Sequence, residues 1–215
     1  MSVRHANTTI RLHRFLPVTD AEGPGRRACI WVQGCPFHCT GCFNRQTWNP
    51  RSGYSRTVGS LFRKIAAQSG LEGVTFTGGE PFAHAGALAE LGRMCRQAGL
   101  SVVTYTGYEY ARVCRSKSRA WRALLDVTDL LLAGPFVKDL ADSSRPWVGS
   151  SNQEFVFLTD RYQRLAKRLN ARSELEIWIG QDGVSLNGTA PESEIAAMLQ
   201  GLADLGLCLN AKRST

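Results

Sequence analysis

Between residues 28 and 135 the chain switches repeatedly between two hydrophobic periodicities. Short apolar runs, Cys29 to Gln33, Val74 to Phe76, Leu100 to Tyr105 and Val127 to Leu132, read as buried strands. Between them lie stretches of helical spacing. Val58 to Ala67 places Val58, Leu61, Phe62 and Ile65 on one face, and Ala83 to Ala98 aligns Leu88, Leu91 and Cys95. Tyr108 to Leu125 reads as one basic helix. Strand and helix in alternation make βαβ units, and such crossovers force neighbouring strands to run parallel. A full eight-unit barrel takes about 250 residues, and this chain has 215. The expected fold class is therefore α/β, as a partial barrel or an open sheet. Ligands of such sheets gather at the carboxyl ends of the strands. That rule points to Gly34, Thr77, Tyr105 and Gly134.

The flanks differ from this centre. Thr8 to Phe15 alternates polar and apolar residues, as an antiparallel or edge strand does. After Gly149 come a strand from Glu154 to Leu158 and a helix from Arg161 to Asn170. A hairpin follows, Glu174 to Gly180 and Gly183 to Asn187 about Gln181-Asp182-Gly183, then a terminal helix from Glu192 to Leu205. The expected division is a core over residues 1–153 and an extension over residues 154–215, packed on the core. No run approaches the roughly 18 apolar residues of a membrane span. Residues 1–17 carry Arg4, His5, Arg11, His13 and Arg14 without an apolar stretch, unlike a signal peptide. A cytoplasmic location is expected, where thiols stay reduced. The net charge of +8 favours an anionic partner without choosing among RNA, phosphates and an acidic protein surface.

Seven cysteines, an odd number, argue against a fully paired disulfide framework. Cys35, Cys39 and Cys42 form a C-x3-C-x2-C motif on a Gly- and Pro-containing loop directly after a strand. Three is the informative number. Structural zinc takes four ligands in a closed shell, and a 4Fe–4S cluster held by four Cys is saturated. Three thiolates leave a coordination position open, as a catalytic centre needs. A zinc site recruiting Cys29 or His38 is the alternative, although Cys29 belongs to a strand and His38 adjoins Cys39. Cys29, Cys95, Cys114 and Cys208 are expected to be small buried hydrophobes.

A second motif is Thr77-Gly78-Gly79-Glu80-Pro81, where a strand runs into two glycines. Glycines let a ligand approach the backbone closely. Glu80 offers negative charge to an ammonium group, and Pro81 suits the first position of a helix. An ordinary strand-to-helix turn is the competing reading of these residues alone.

Together, in this order, the two motifs resemble the radical S-adenosylmethionine superfamily. The resemblance implies a partial (β/α)6-type barrel, here with a C-terminal α+β extension. It implies that Cys35, Cys39 and Cys42 hold three irons of a 4Fe–4S cluster, whose fourth iron chelates S-adenosylmethionine, and that Gly78, Gly79 and Glu80 receive the ligand's ammonium. Reductive cleavage would then yield a 5′-deoxyadenosyl radical that abstracts a substrate hydrogen. Gly41-Cys42-Phe43-Asn44, Trp31-Val32-Gln33-Gly34-Cys35-Pro36, Tyr105-Thr106-Gly107-Tyr108, Gly134-Pro135-Phe136 and Trp147-Val148-Gly149-Ser150-Ser151-Asn152-Gln153 narrow the likeness. They are similar to one branch, the activating enzymes of anaerobic ribonucleotide reductases. That branch implies that Gly41, Cys42, Phe43, Gly79 and Thr106 line the S-adenosylmethionine site. It also implies a glycyl radical enzyme as partner and a reductant such as flavodoxin or ferredoxin.

Two other readings stand beside this one. A radical enzyme modifying a peptide, a natural-product precursor or RNA directly would keep the same cofactors. Arg112, Arg115, Lys117, Arg119 and Arg122 suit an anionic partner, but a solvated basic face has the same composition. No recognised RNA-binding motif accompanies them, so nucleic acid is not favoured. A non-catalytic electron-transfer or zinc module conflicts with the three-cysteine count and with the glycine turn. No acid–base or nucleophile triad is evident. His38 and His84 lie beside the two motifs, where satisfied polar roles are expected.

Overall fold

The computed structural model describes residues 7–168, 175–180, 183–188, 190 and 192–204. Strands β1 (Thr9–Thr19), β2 (Arg27–Val32), β3 (Tyr54–Thr57), β4 (Gly73–Gly78), β5 (Ser101–Thr106), β6 (Leu130–Ala133) and β7 (Glu154–Phe157) form one sheet, in the order β3-β1-β2-β4-β5-β6-β7. The middle pairs, β2 with β4, β4 with β5 and β5 with β6, are parallel. The flanking pairs are antiparallel. The protein is α/β with a mixed sheet, and no pairing among the described residues joins β3 to β7.

The central strands are buried along their length, as parallel strands covered on both faces must be. Their side chains alternate between two environments with the strand period of two. Ile10, Leu12, Ile30, Val32, Val74 and Phe76 pack with helices α1 (Val58–Ala66), α2 (Ala85–Gln97) and α4 (Arg119–Val127) through Leu61, Ile65, Leu88, Leu91 and Leu124. Val103, Leu130 and Leu132 instead join Val148 and Tyr162 in a second, smaller cluster. Local chemistry sets the helix starts. Thr57 caps α1 by accepting from Ser60 N, and Ser118 caps α4 by accepting from Trp121 N.

Arg27, fully buried, gathers the amino ends of the strands. Its guanidinium donates to Thr75 Oγ1 at 2.8 Å, Val74 O at 2.8 Å, Ser101 Oγ at 3.0 Å and Tyr162 OH at 3.0 Å. The carboxyl ends, at the opposite end of the sheet, are left to the cysteine and glycine loops.

Three expectations need correction. The basic segment is not one helix: α3 (Tyr110–Arg115) ends at Ser116, and Ser118 starts α4. Serine side chains compete with the helical backbone, and a pair of them so close breaks it. Cys114 is exposed, not packed, since α3 buries Val113 and leaves Cys114 on its open side; Cys29 and Cys95 are buried as expected, and Cys208 lies outside the described residues. The helix expected from Arg161 to Asn170 is a 3-10 helix over Asp160–Arg168, and residues 169 and 170 lie outside the described residues.

In the C-terminal part, β8 (Leu175–Gly180) and β9 (Gly183–Gly188) form the expected hairpin, and α5 spans Glu192–Asp204. Gln181 and Asp182 of its turn lie outside the described residues. Polar contacts dock the hairpin. Arg14 Nη1 donates to Asn187 Oδ1 at 2.7 Å, Thr19 Oγ1 donates to Glu176 Oε2 at 2.5 Å, and Gly188 N donates to Glu22 Oε1 at 3.0 Å. β7, the first strand of the expected extension, adds to the main sheet beside β6.

Candidate active site

The cysteine loop leaves β2 under close backbone control. Gly34 N donates to Thr47 O at 2.7 Å and Cys35 N to Trp48 O at 3.2 Å. The Gln33 side chain donates to Gln46 O and Asn49 O at 3.0 and 2.8 Å. Gly34 and Gly41 adopt φ of 99° and 81°, which suit glycine and let the loop fold back on itself. Cys42 N closes a turn onto Cys39 O at 3.1 Å.

Cys35, Cys39 and Cys42 are free and partly exposed thiols on this loop. Backbone N–H groups reach their sulfurs: Phe37 and His38 at Cys35, Phe136 at Cys39, and Asn44 at Cys42. Burial raises the Cys35 and Cys39 thiols above the usual thiol range, and these donors pull them back. Trp48, whose backbone holds Cys35 and whose ring lies 4.8 Å from that of His38, keeps a buried indole N–H without a partner. Soft sulfur donors ringed by N–H groups suit an iron–sulfur cluster, in which hydrogen bonds to sulfur are common. Among the described residues no three His, Cys, Asp or Glu side chains form a compact cage for one ion.

The glycine turn is bonded to the start of this loop. Gly79 N donates to Val32 O and Glu80 N to Gly34 O, both at 2.9 Å. A Cβ at Gly78 would stand 2.6 Å from Trp31 Cα, and one at Gly79 would stand 2.3 Å from Gly34 O. The close approach these glycines permit is thus to the protein's own backbone, where the motif alone suggested a ligand.

Glu80 is 1% exposed. Its Oε1 accepts from Phe82 N at 2.8 Å and Thr106 Oγ1 at 2.9 Å, and its Oε2 accepts from Gly107 N at 2.9 Å. Burial pushes its carboxyl up to about 7, against these three donors. A carboxylate offers roughly four acceptor positions, and these donors take three of them, leaving one on Oε2. Pro81 stands at the start of a 3-10 turn (Pro81–His84) that Glu80 caps.

Two cavities adjoin the loop. The smaller, about 320 Å³, includes Trp31, Cys42, Phe43, Thr77, Tyr105 and Asn187 in its wall. The larger, about 680 Å³, includes Gly41, Cys42, Phe43, Phe136, Gly149 and Ile195. Gly41, Cys42 and Phe43 therefore line open space, as do Thr77 and Tyr105 at their strand ends. Cys35, Cys39, Gly78, Gly79, Glu80 and Thr106 are not in either wall. Phe136 and Gly149 belong to both, and a Cβ at Gly149 would lie 3.1 Å from the Phe136 ring. At the polar end of the smaller cavity, burial pushes the Glu22 carboxyl up to about 7, although the Arg14 guanidinium opposes the shift. His84 Nε2 lies 2.8 Å from Gln33 O, the satisfied polar role expected of it.

Residues 21–156 match the family profile described as a 4Fe-4S single cluster domain. The chain is 32% identical to the anaerobic ribonucleoside-triphosphate reductase-activating protein of Salmonella typhimurium, over 67% of this chain and 96% of that protein. It is 30% identical to the protein of the same description from Escherichia coli K12, over 66% of this chain and 94% of that one. Its likeness to the crystal structure of QueE from Escherichia coli is slight, with a TM-score of 0.40 and 22% identity over 46% of this chain and 53% of the other.

Proposed function

We propose that this chain, which belongs to the 4Fe-4S single cluster domain family and to the anaerobic ribonucleoside-triphosphate reductase-activating proteins, is a radical S-adenosylmethionine enzyme that activates a glycyl radical enzyme. When bound, the cluster held by the three loop thiols would supply the electron for reductive cleavage of S-adenosylmethionine, and the hydrogen abstracted from the partner would be taken by the resulting 5′-deoxyadenosyl radical. The observation that carries this reading is the backbone weld between the two motifs, Glu80 N to Gly34 O and Gly79 N to Val32 O. It fixes the loop that would hold iron against the turn that would hold the ligand's ammonium.

In this reading Cys35, Cys39 and Cys42 hold the cluster. The backbone of Gly78 and Gly79 and the remaining acceptor of Glu80 hold the ammonium. Thr106 positions Glu80, while Gly41, Cys42 and Phe43 border the cavities that take the rest of the ligand and the substrate segment. We read the open sheet as part of a (β/α)6-type barrel over residues 1–153, with residues 154–215 as an extension whose first strand, β7, continues the sheet beside β6 and whose hairpin docks on it. The placement of Trp31, Thr77 and Tyr105, from three adjacent strands, in one cavity wall supports that reading. A cytoplasmic setting with a flavodoxin- or ferredoxin-type reductant suits partly exposed free thiols and a reduced cluster. Among the described residues no helix is long and apolar enough to cross a membrane.

The test is anaerobic mixing of the reconstituted protein with the anaerobic ribonucleotide reductase of the same genome, S-adenosylmethionine and dithionite. A glycyl radical doublet in the EPR spectrum is expected. Cleavage of S-adenosylmethionine without any protein radical would assign the chain to another substrate.

A further inference from the structure

We propose that the basic ridge of α3 and α4 is the docking surface for a small acidic one-electron carrier protein, which delivers the electron through the side of the cysteine loop. The proposal rests on the activase reading and adds the place where the reductant binds.

The ridge carries Arg112, Arg115, Lys117, Arg119 and Arg122, all exposed, and residues 110–122 contain no acidic residue. Among the described residues none of the five forms a salt bridge. Such a field raises the local concentration of an anionic partner and speeds its approach. A shallow groove of about 330 Å³ lies on the ridge, lined by Arg112, Arg115, Ser116 and Trp121. It shares no lining residue with the two cavities beside Cys42, so a carrier seated here leaves them free for substrate.

Position makes the charge informative. Phe37, between Cys35 and Cys39, meets the Tyr108 ring edge-on at 4.7 Å. A Cβ at Gly107 would lie 2.6 Å from the Phe37 ring, so the ring rests directly on that backbone. Tyr108 in turn carries the Arg112 guanidinium at 4.8 Å and packs on Trp121 at 4.6 Å. One run of aromatic contacts therefore joins the ridge to the loop. Electron transfer falls steeply with distance, so a carrier must dock beside the thiolates it serves. The exchange is balanced: the carrier is oxidised by one electron, the cluster is reduced by one, and no bond forms or breaks.

The same features disfavour nucleic acid. Binding of single strands uses open aromatic faces on which bases stack. Tyr108 is engaged by Phe37, Trp121 and Arg112, and Trp121 also meets Phe82 at 5.2 Å. Encounters of redox proteins use small interfaces, which two short helices can supply.

The test compares reconstituted unaltered protein with R115E/R119E, the milder R115Q/R119Q, and a control of equal charge change on α1, R63E/K64E. Binding of oxidised flavodoxin is measured by calorimetry, and 5′-deoxyadenosine formation is measured with reduced flavodoxin and, separately, with dithionite. R115E/R119E should weaken flavodoxin binding by about tenfold or more and R115Q/R119Q by less, with dithionite-driven cleavage unchanged in both. Unchanged affinity in R115E/R119E, or equal loss in R63E/K64E, overturns the proposal. So does binding of poly(U) RNA to the ridge with no binding of flavodoxin. Absence of dithionite-driven cleavage in the unaltered protein would instead remove the activase reading, a result separate from the affinity ratio.

Discussion

The Thr106 hydroxyl donates to Glu80 Oε1 at 2.9 Å, joining the carboxyl ends of β4 and β5 through two side chains that are 4% and 1% exposed. Because Tyr108 N also donates to Thr106 Oγ1 at 3.1 Å, the hydroxyl is held from both sides. Thr106→Val keeps the shape and removes the donor. It should cost about 1–3 kcal/mol of stability, because Tyr108 N loses its acceptor and Glu80 Oε1 keeps only Phe82 N as donor. S-adenosylmethionine affinity should fall as Glu80 loses its orientation, while Thr106→Ser restores it. Equilibrium binding of the ligand to all three forms checks this.

Gly79→Ala should damage the cysteine loop more than the sheet. Its Cβ would sit 2.3 Å from Gly34 O, one residue before Cys35, so the backbone of one motif must shift. The expected outcome is a folded protein, by circular dichroism, that retains less than half the iron of the unaltered chain after reconstitution. Full iron loading would show that the weld between the loops is dispensable.

Stability should depend on pH through Glu22. Burial lifts its carboxyl from an ordinary 4.5 to about 7 in the folded state, so the native protein holds the proton more tightly than the unfolded chain does. The contribution is complete below about pH 4.5 and is lost as pH rises towards 7. Glu80 shifts the same way, so replacing one of them removes part of the slope. Glu22→Gln keeps an acceptor for Gly188 N. It should therefore match the unaltered protein near pH 5 and exceed it at pH 8 by roughly 1–3 kcal/mol in urea unfolding.

At the other end of the sheet, Tyr162→Phe tests whether stability and chemistry are separable. The hydroxyl accepts from Arg27 Nη1 at 3.0 Å and lies 2.6 Å from Ser101 Oγ and 2.9 Å from Glu72 Oε1. Its loss should cost about 1–3 kcal/mol and lower Tm by several degrees. S-adenosylmethionine cleavage at 25 °C should not change, since the site lies at the carboxyl ends.

What the sequence made legible was chemistry carried by neighbours in the chain. Cys35, Cys39 and Cys42 share one loop, and Gly78, Gly79 and Glu80 share one turn, so spacing alone drew attention to them. The parallel centre followed from apolar runs such as Leu130–Ala133, buried on both faces. What stayed hidden depends on register and docking. Thr106 meets Glu80 only because β4 and β5 pair side by side. Asn187 and Ile195 reach the cavities only because the C-terminal hairpin and helix fold back, and nothing local in their sequence marks it. β3 carries no strand signal in the sequence, because its residues Tyr54, Ser55 and Arg56 are exposed and give no apolar run. The break at Ser116 was a contest between helical spacing and capping chemistry, which the caps won.

The central claim is that three thiols and one glycine turn form a single reductive site. Its most direct test is anaerobic reconstitution of the unaltered chain and Cys39→Ala, followed by dithionite, S-adenosylmethionine and quantification of 5′-deoxyadenosine. The unaltered chain should bind a 4Fe–4S cluster and release 5′-deoxyadenosine, and Cys39→Ala should do neither. Undiminished cleavage in Cys39→Ala, or none in a fully loaded unaltered chain, would contradict the account.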